Sequence, residues 1–168
     1  MLEQISKLVL YQGGRLVYSK TGRTCDNSIQ RGYRKVSIAS KPKNLQARAH
    51  RVIWFMFHGA IPDGMLVDHI NGDRADNRIE NLRLVNHTDN SQNCTGKGYY
   101  LSKKTGLWQA YIYIDYKSKH LGSYATEDEA RLAYLEAKLV YHKAATARIE
   151  PEVLKLRAKM KVAKETQQ

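Results

Sequence analysis

Residues 68–85 concentrate side chains that could bind a metal ion and move a proton. They read DHINGDRADNRIENLRLV, so a carboxylate and an imidazole stand side by side at Asp68 and His69. Asn81 follows His69 by twelve residues, and Asn90 follows Asn81 by nine. Carboxylate and amide oxygens suit a hard cation such as Mg²⁺ or Mn²⁺, and imidazole accepts a proton near neutral pH. Taken alone, the Asp-His pair would also be compatible with a simple strand end.

Two short strands and a short helix would have to bring these side chains together. Residues 65–68 and 82–85 have strand character, and a short helix that Thr88 could cap follows them. The loop between the strands is rich in Gly, Asp and Asn, which satisfy their own backbone in turns. A hairpin folded against the helix would bring the carboxylate, the imidazole and Asn90 into one place.

The preceding residues predict a β-rich segment that leads into a helix. Gly13-Gly14 separates two apolar runs, which is a hairpin signal. A second pair of strand-like runs lies around residues 33–39 and 45–49. The run AHRVIWFMFHG has the length of a helix and ends at Gly59, a natural helix stop.

The whole segment resembles the HNH nuclease motif, in the Asn-ending form of phage homing endonucleases. The resemblance is carried by HRVIWFMFHG and VDHINGDRADNRIENLRLVNHTDNSQN and covers about residues 8–94. It implies a ββα-metal nuclease domain over residues 1–94, with its core at about 62–94. By the same resemblance, Asp68 and Asn90 would bind the metal, and His69 would be the general base. Asn81 would hold the loop and orient His69, and the terminal Asn favours Mg²⁺ (or Mn²⁺).

Further side chains near the motif are candidates for contact with DNA. Arg74, Arg78 and Arg83 could clamp phosphates, but they could equally anchor the loop. His87 could be another metal ligand, although a role facing DNA or supporting the ligands is favoured.

The second half of the chain predicts a small sheet followed by a helix. In TGLWQAYIYIDYKSKHLGSYAT, alternation places Ala110 and Ile112 on one face and Tyr111 and Tyr113 on the other, with a turn at residues 116–118. The helix that follows has the signature of a capping box, with Thr126 as N-cap and an acid three residues later.

This half resembles the plant ethylene-response-factor (apetala-type) DNA-binding domain over about residues 97–145. The matching pieces are KKTGLWQAYI, KHLGSYAT and EDEARLAYLEA. The resemblance implies a three-stranded sheet, backed by a helix, that lies in the major groove. A plain packing domain with a tyrosine-rich surface is the alternative. The expected contacts, on or beside the face opposite Ile112 and Ile114, are Lys103, Lys104, Tyr111, Tyr113, Lys117 and Lys119.

Residues 146–168 predict a basic C-terminal helix or tail. Pro151 can start this helix, and five Lys or Arg follow between Lys155 and Lys164. The helix could track phosphates or be a solvated tail, and the sequence leaves both open.

Charge and composition narrow the class of partner. The chain has 28 Lys and Arg against 16 Asp and Glu, a net charge of +12, which attracts polyanions. It has no apolar run long enough to predict a membrane span and no signal-peptide pattern. Cys25 and Cys94 stand far apart, which argues against a disulfide framework or a cysteine zinc site.

Together these patterns predict an α+β protein in which a β-rich segment and an HNH nuclease domain precede a sheet-and-helix DNA-binding domain and a basic helix. The expected function is a metal-dependent homing-type endonuclease that hydrolyses phosphodiester bonds at a recognised site in double-stranded DNA. We expect a monomer in the cytoplasm of a phage-infected host, with no small-molecule cofactor beyond the metal. The alternatives are a non-catalytic DNA-binding regulator that uses the C-terminal sheet and a structural RNA-binding protein.

Overall fold

The computed structural model describes residues 1–41, 43–93, 96–114, 117–142 and 145–165, without the side chains of residues 146 and 164. The chain divides into two compact units, Met1–Asn90 and Ser91–Gln168. Both mix helices and strands, as predicted. Within the described ranges, every helix is too short or too polar to span a bilayer. Cys94 lies outside the described residues.

The first unit consists of short helices and strands in the order that the motif requires. A hairpin, a three-stranded sheet and a helix precede the two strands and the helix of the candidate site. The elements are α1 (Leu2–Ser6), β1 (Val9–Gln12), β2 (Arg15–Tyr18), β3 (Ser28–Gln30), β4 (Tyr33–Ile38), β5 (Leu45–Arg48), α2 (Ala49–His58), β6 (Leu66–His69), β7 (Leu82–Val85) and α3 (His87–Gln92).

Antiparallel pairing organises this unit. β1 pairs with β2 across the Gly13-Gly14 turn, which confirms the predicted hairpin. β4 lies between β3 and β5, and β6 pairs with β7. α1 and β3 were not predicted from the sequence, because each is only a few residues long and carries little periodicity.

Helix α2 contributes most of its apolar side chains to the core of the first unit. Gly59 ends this helix with a φ of 77°, as predicted. The core also draws on α1 and the strands, because each of these elements presents only part of its surface to water. Its buried residues are Ile5, Val9, Leu16, Val36, Ile38, Ala49, Val52, Ile53, Trp54 and Leu82.

The second unit, in its described residues, is a three-stranded sheet with two helices. The elements are β8 (Tyr99–Leu101), β9 (Trp108–Ile114), β10 (Lys117–Tyr124), α4 (Glu127–Tyr141) and α5 (Thr146–Glu165). The strands lie in the order β10-β9-β8, and α4 packs against both the sheet and α5. Ala110 and Ile112 are buried, as the alternation predicted.

The caps of two helices differ in how well the sequence predicted them. Thr126 accepts from the backbone N–H of Glu129, and the Glu129 carboxylate accepts from the backbone N–H of Thr126, so the capping box is confirmed. Thr88 as the cap of α3 is wrong, since it lies within the helix. The Asn86 side chain instead accepts from the backbone N–H of Asp89 at 2.8 Å, which is the bond an N-cap residue makes.

Two further boundaries in the second unit were predicted wrongly. Pro151 lies inside α5, which begins at Thr146. Burial of Ile149 and Val153 in a core with α4 extends the helix on both sides of the proline and offsets its missing N–H. The turn predicted at residues 116–118 is also shifted, because β10 already begins at Lys117; residue 116 is outside the described residues.

Candidate active site

Strand pairing sets Asp68 beside an arginine. In the β6–β7 register, Asp68 lies directly opposite Arg83. Oδ2 of Asp68 accepts from Nε and Nη2 of Arg83 at 3.2 and 2.9 Å. The side chains are 13% and 25% exposed, so water screens this ion pair only in part. The predicted metal ligand and one of the predicted phosphate clamps are therefore partners of each other.

His69 ends β6 with a buried ring held by an asparagine. The residue is 2% exposed. Its Nε2 lies 2.9 Å from Oδ1 of Asn77, which is itself 1% exposed. Because an amide oxygen can only accept, this contact places a proton on Nε2, and in the neutral ring the lone pair is then on Nδ1. Asn77 was not among the residues predicted from the sequence, although it lies in the same polar loop as the predicted Asn81.

Asn81 closes the loop that follows His69. Its Oδ1 accepts from the backbone N–H of Asn71, and its Nδ2 donates to Oδ1 of Asn71 and to the carbonyl of Asp76. The carbonyl of Asn81 also accepts from the backbone N–H of Ile70. These contacts are those of a residue that holds the loop. A hydrogen bond joins the His69 ring to Asn77, whereas Asn81 was predicted to orient this ring.

The other two predicted phosphate clamps also have partners within the chain. Arg78 donates to both carboxylate oxygens of Asp76, and this hydrogen bond lowers the pKa of Asp76 to about 2. Arg74 donates to the carbonyl of Arg31 in the β3–β4 turn. Both contacts match the loop-anchor alternative. A role toward DNA stays a prediction.

A second buried imidazole packs against the candidate base. The ring of His50, on α2, lies 5.0 Å from the ring of His69. Burial, with the neighbouring His69, Arg48 and Arg51, lowers the pKa of His50 to about 3. The Tyr33 ring contacts both imidazoles, at 5.2 and 6.0 Å between centroids. His50 is therefore neutral near physiological pH.

Tyr33 also borders a basic concavity on the sheet formed by β3, β4 and β5. This concavity has a volume of about 460 Å³. The guanidinium of Arg48 lies 4.3 Å from the centroid of the Tyr33 ring, and that of Arg74 lies 4.9 Å away. No acidic side chain is among the described residues that line it. The polar side chains around it are Gln30, Arg31, Lys35, Gln46 and Arg48.

The remaining predicted residues of the nuclease motif lie on α3. His87 is exposed at the start of this helix, and Asn90 is half-buried. Within the described residues, no three or more His, Cys, Asp and Glu side chains are grouped so that they could hold a metal ion. The predicted carboxylate and amide would make up a smaller donor set, of a kind that suits Mg²⁺, since this ion retains waters and binds substrate phosphate. Such a set would not suit Zn²⁺.

The outer face of the second sheet is aromatic. The ring of Tyr111 lies between those of Tyr100 and His120. The ring centroids are 5.9 Å apart for Tyr100, whose ring is nearly parallel, and 4.8 Å apart for His120. Tyr113 is exposed on the same face. Hydrogen bonding to Tyr100 raises the pKa of Tyr111. Lys103 and Lys104 are exposed in the turn between β8 and β9.

Two lysines lie on the other side of this sheet from where they were predicted. Lys117 and Lys119 are directly opposite Ile114 and Ile112 in the β9–β10 register, so they share the face of these isoleucines. Nζ of Lys119 accordingly donates to the hydroxyl of Tyr141 on α4. The expected outward direction was wrong because the strand begins at Lys117, which shifts the alternation by one residue.

A family model and several known proteins match this chain. A family model described as HNH endonuclease matches residues 47–92. Uncharacterized HNH endonuclease L247 of Acanthamoeba polyphaga mimivirus is 28% identical over 127 residues, or 73% of this chain and 31% of that protein. DNA endonuclease I-HmuI of Bacillus phage SP01 is 31% identical over 49% of this chain and 48% of its own. A solved structure on DNA binding and cleavage by I-HmuI matches 50% of this chain and 49% of that chain, with 27% identity and a TM-score of 0.44.

A shorter phage protein is matched over most of its length. Protein 3.8 of Escherichia phage T7 is 31% identical over 84 residues, which are 45% of this chain and 69% of that protein. The chain thus spans less than half of the first two relatives and more than two thirds of the third. With the motif segment matched by the family model as well, the chain belongs to the HNH endonuclease family.

Proposed function

We propose that the protein is a metal-dependent endonuclease that hydrolyses phosphodiester bonds in double-stranded DNA. The observation that carries the proposal is the His69 ring, held at Nε2 by Asn77 and next in sequence to Asp68, inside the segment that the HNH family model matches. Two relatives named as HNH or DNA endonucleases support it. The alternative of a structural RNA-binding protein has no comparable support.

The roles of the chain's own groups follow from their chemistry. Asp68 and Asn90 would hold Mg²⁺ or Mn²⁺, and a cation bound there would neutralise charge on the phosphate and on the leaving oxygen. His69 would remove the proton from the attacking water with the lone pair on Nδ1, while Nε2–H stays on Asn77. The loop closed by Asn81 fixes the ring before DNA arrives, which is the contribution of preorganisation.

The basic concavity is our candidate for the path of the DNA backbone in the first unit. It combines three cationic side chains with two amides that can donate to phosphate oxygens. Tyr33 borders this concavity and also contacts the His69 ring, so a strand lying there would pass beside the candidate base. Arg74, Arg78, Arg83 and His87 lie in or after the loop and remain candidate contacts.

Removing charge from the concavity should weaken DNA binding in a salt-dependent way. For the double variant Lys35→Gln/Arg48→Gln, we expect the slope of log K against log salt to fall by about 2, since each phosphate contact contributes roughly 0.9. The loss of affinity should be similar for all duplex sequences. Fluorescence anisotropy with a labelled duplex over a series of salt concentrations measures both. The control Lys20→Gln/Arg23→Gln removes the same charge from exposed residues outside the concavity; equal slopes for the two variants would contradict the proposal.

The sheet of the second unit is our candidate for choice of the DNA site. Its exposed aromatic face, with Tyr111 and Tyr113, and the nearby Lys103 and Lys104 could contact bases and phosphates of the major groove. Lys117 and Lys119 could reach phosphates only from the edge of β10, given the face on which they lie. Homing-type site recognition, a monomeric state and action in the cytoplasm of an infected host belong to the same proposal.

Plasmid cleavage tests the central claim. We expect the purified full chain to convert supercoiled plasmid to nicked or linear DNA in the presence of Mg²⁺. EDTA should abolish the reaction, and excess Mg²⁺ should restore it. A gel assay with the same protein heat-inactivated as control measures this outcome. Binding without cleavage at any Mg²⁺ or Mn²⁺ concentration would instead favour the regulator that binds DNA through the second unit.

A further inference from the structure

The hydrogen bond on the His69 ring is made with a deeply buried side chain, that of Asn77. Asn77 is almost fully buried, and its Oδ1 lies 2.9 Å from Nε2 of His69. Its Nδ2 is buried with no hydrogen-bond partner among the described residues, so the oxygen toward His69 is its one satisfied polar atom there.

The β1–β2 hairpin supports the backbone on either side of Asn77. A Cβ on Gly14 would lie 3.0 Å from the backbone nitrogen of Arg78 and 3.3 Å from the carbonyl carbon of Asn77. Tyr11 of the same hairpin accepts from the backbone N–H of Ile79 through its hydroxyl at 3.2 Å. The hairpin therefore contacts the three residues from Asn77 to Ile79, and the glycine at position 14 allows this close approach without displacing the neighbouring backbone.

We propose that Asn77 is the positioning residue for the candidate base, and that the β1–β2 hairpin sets its place through Gly14. Asn77 holds His69 in the tautomer with the proton on Nε2, so that Nδ1 is the nitrogen that would accept the proton of the reacting water. This inference rests on the proposed nuclease function. It assigns to Asn77 the orienting role that the family motif suggested for Asn81, and it leaves Asn81 as the residue that closes the loop.

A spectroscopic measurement tests the tautomer without DNA or metal. In the full chain labelled with ¹⁵N-histidine, long-range ¹H–¹⁵N spectra report the protonated nitrogen of each ring, and a His69→Gln spectrum identifies the signal of His69. We expect the Nε2–H form in the unmodified protein and in Asn77→Asp, which keeps an oxygen acceptor. Asn77→Leu should show a mixture of tautomers. An Nδ1–H form in the unmodified protein, or an unchanged tautomer in Asn77→Leu, would overturn the proposal.

Kinetics separate positioning from a purely structural role. For Asn77→Leu we expect kcat for plasmid nicking to fall by about 10- to 100-fold with KM for DNA unchanged within about twofold, and Asn77→Asp should restore part of kcat. If the unmodified protein does not cut DNA, the proposed function fails while the spectra still decide the role of Asn77. If the unmodified protein cuts DNA and Asn77→Leu cuts it equally fast, the inference fails alone.

Two neighbouring glycines provide a matched pair of variants in which Asn77 itself is not substituted. Gly13 and Gly14 both have positive φ, at 52° and 88°, so alanine strains the backbone at either position. A Cβ at Gly13 would meet nothing within 4 Å, whereas one at Gly14 would lie 3.0 to 3.3 Å from the Asn77–Arg78 backbone, which would have to shift by a few tenths of an ångström. We expect Gly14→Ala to reduce kcat about tenfold or more and Gly13→Ala to leave it within about twofold. This pair carries the test if thermal melting shows that Asn77→Leu does not fold, and equal kcat values for the two alanine variants would contradict the role of the hairpin.

Discussion

Replacing His69 by glutamine is expected to reduce the rate of DNA nicking by about 10²- to 10⁴-fold, the usual contribution of a general base. Affinity for DNA should stay within about twofold, because the ring is buried and cannot contribute much surface to a bound duplex. Single-turnover cleavage of pre-bound plasmid in Mg²⁺ measures the chemical step, and anisotropy with a labelled duplex measures affinity. A loss of kcat and kcat/KM by the same factor would identify an interaction made only in the transition state.

His50→Gln is the matched control for this prediction. His50 is also buried, and its ring lies 5.0 Å from that of His69. Because burial lowers the pKa of His50 to about 3, it accepts a proton poorly near neutral pH. We therefore expect at most about a tenfold loss of rate, from weaker packing around the base. If the two variants lose activity equally, His69 has no special part in the chemistry.

Asp68→Asn is expected to raise the Mg²⁺ concentration required for half-maximal cleavage about tenfold or more, and to reduce the rate at fixed Mg²⁺ by about 10²-fold. The carboxylate supplies the negative charge of the proposed donor set, and a cation of this kind contributes several kcal/mol to a phosphoryl transition state. Each 1.4 kcal/mol lost corresponds to about a factor of ten in rate. Cleavage rates over a Mg²⁺ titration measure the shift, and calorimetric titration with Mn²⁺ measures binding without DNA.

Arg83→Gln separates metal binding from the ion pair. Asp68→Asn and Arg83→Gln both remove the ion pair between these residues, but only Asp68→Asn removes the carboxylate. Without the guanidinium, Oδ2 of Asp68 loses a competitor for the cation, so the half-maximal Mg²⁺ concentration should stay the same or fall. A rise of similar size in both variants would mean that Asp68 acts through the ion pair, and it would remove Asp68 from the proposed metal ligands.

Elements with strong local signals were predicted correctly. Gly13-Gly14 marks the first hairpin because two adjacent glycines accept the positive φ that a tight turn needs. The capping box of α4 depends on Thr126 and Glu129, which are close in sequence, so the pattern alone is sufficient. The second unit shows the limit of such signals, since Pro151 is a helix starter by local preference but lies within α5 once Ile149 and Val153 are buried.

The candidate side chains of the site were proposed from the sequence, but the contacts among them could not be. The loop offers several asparagines with the same chemistry, and no spacing rule distinguishes the one that reaches the His69 ring. Asn77 takes that place because the β1–β2 hairpin packs behind it, while Asn81 turns toward Asn71. In the same way, the charge of Arg83 makes it a candidate for contact with DNA, but the strand register places it opposite Asp68 as the partner of this carboxylate.

The sequence by itself determined the charge of the protein, the adjacency of Asp68 and His69, and the order of the strands and the helix around them. These properties follow from residue types and their short spacing, because local backbone preferences and the alternation of apolar residues depend on neighbours in the sequence. Only the tertiary structure decided that Asn77 contacts His69, that Arg83 neutralises Asp68 and that Tyr33 joins the basic concavity to the buried imidazoles. Those contacts link residues whose proximity depends on how separate hairpins and α2 pack together, and that packing is set by the burial of the shared core rather than by any one segment.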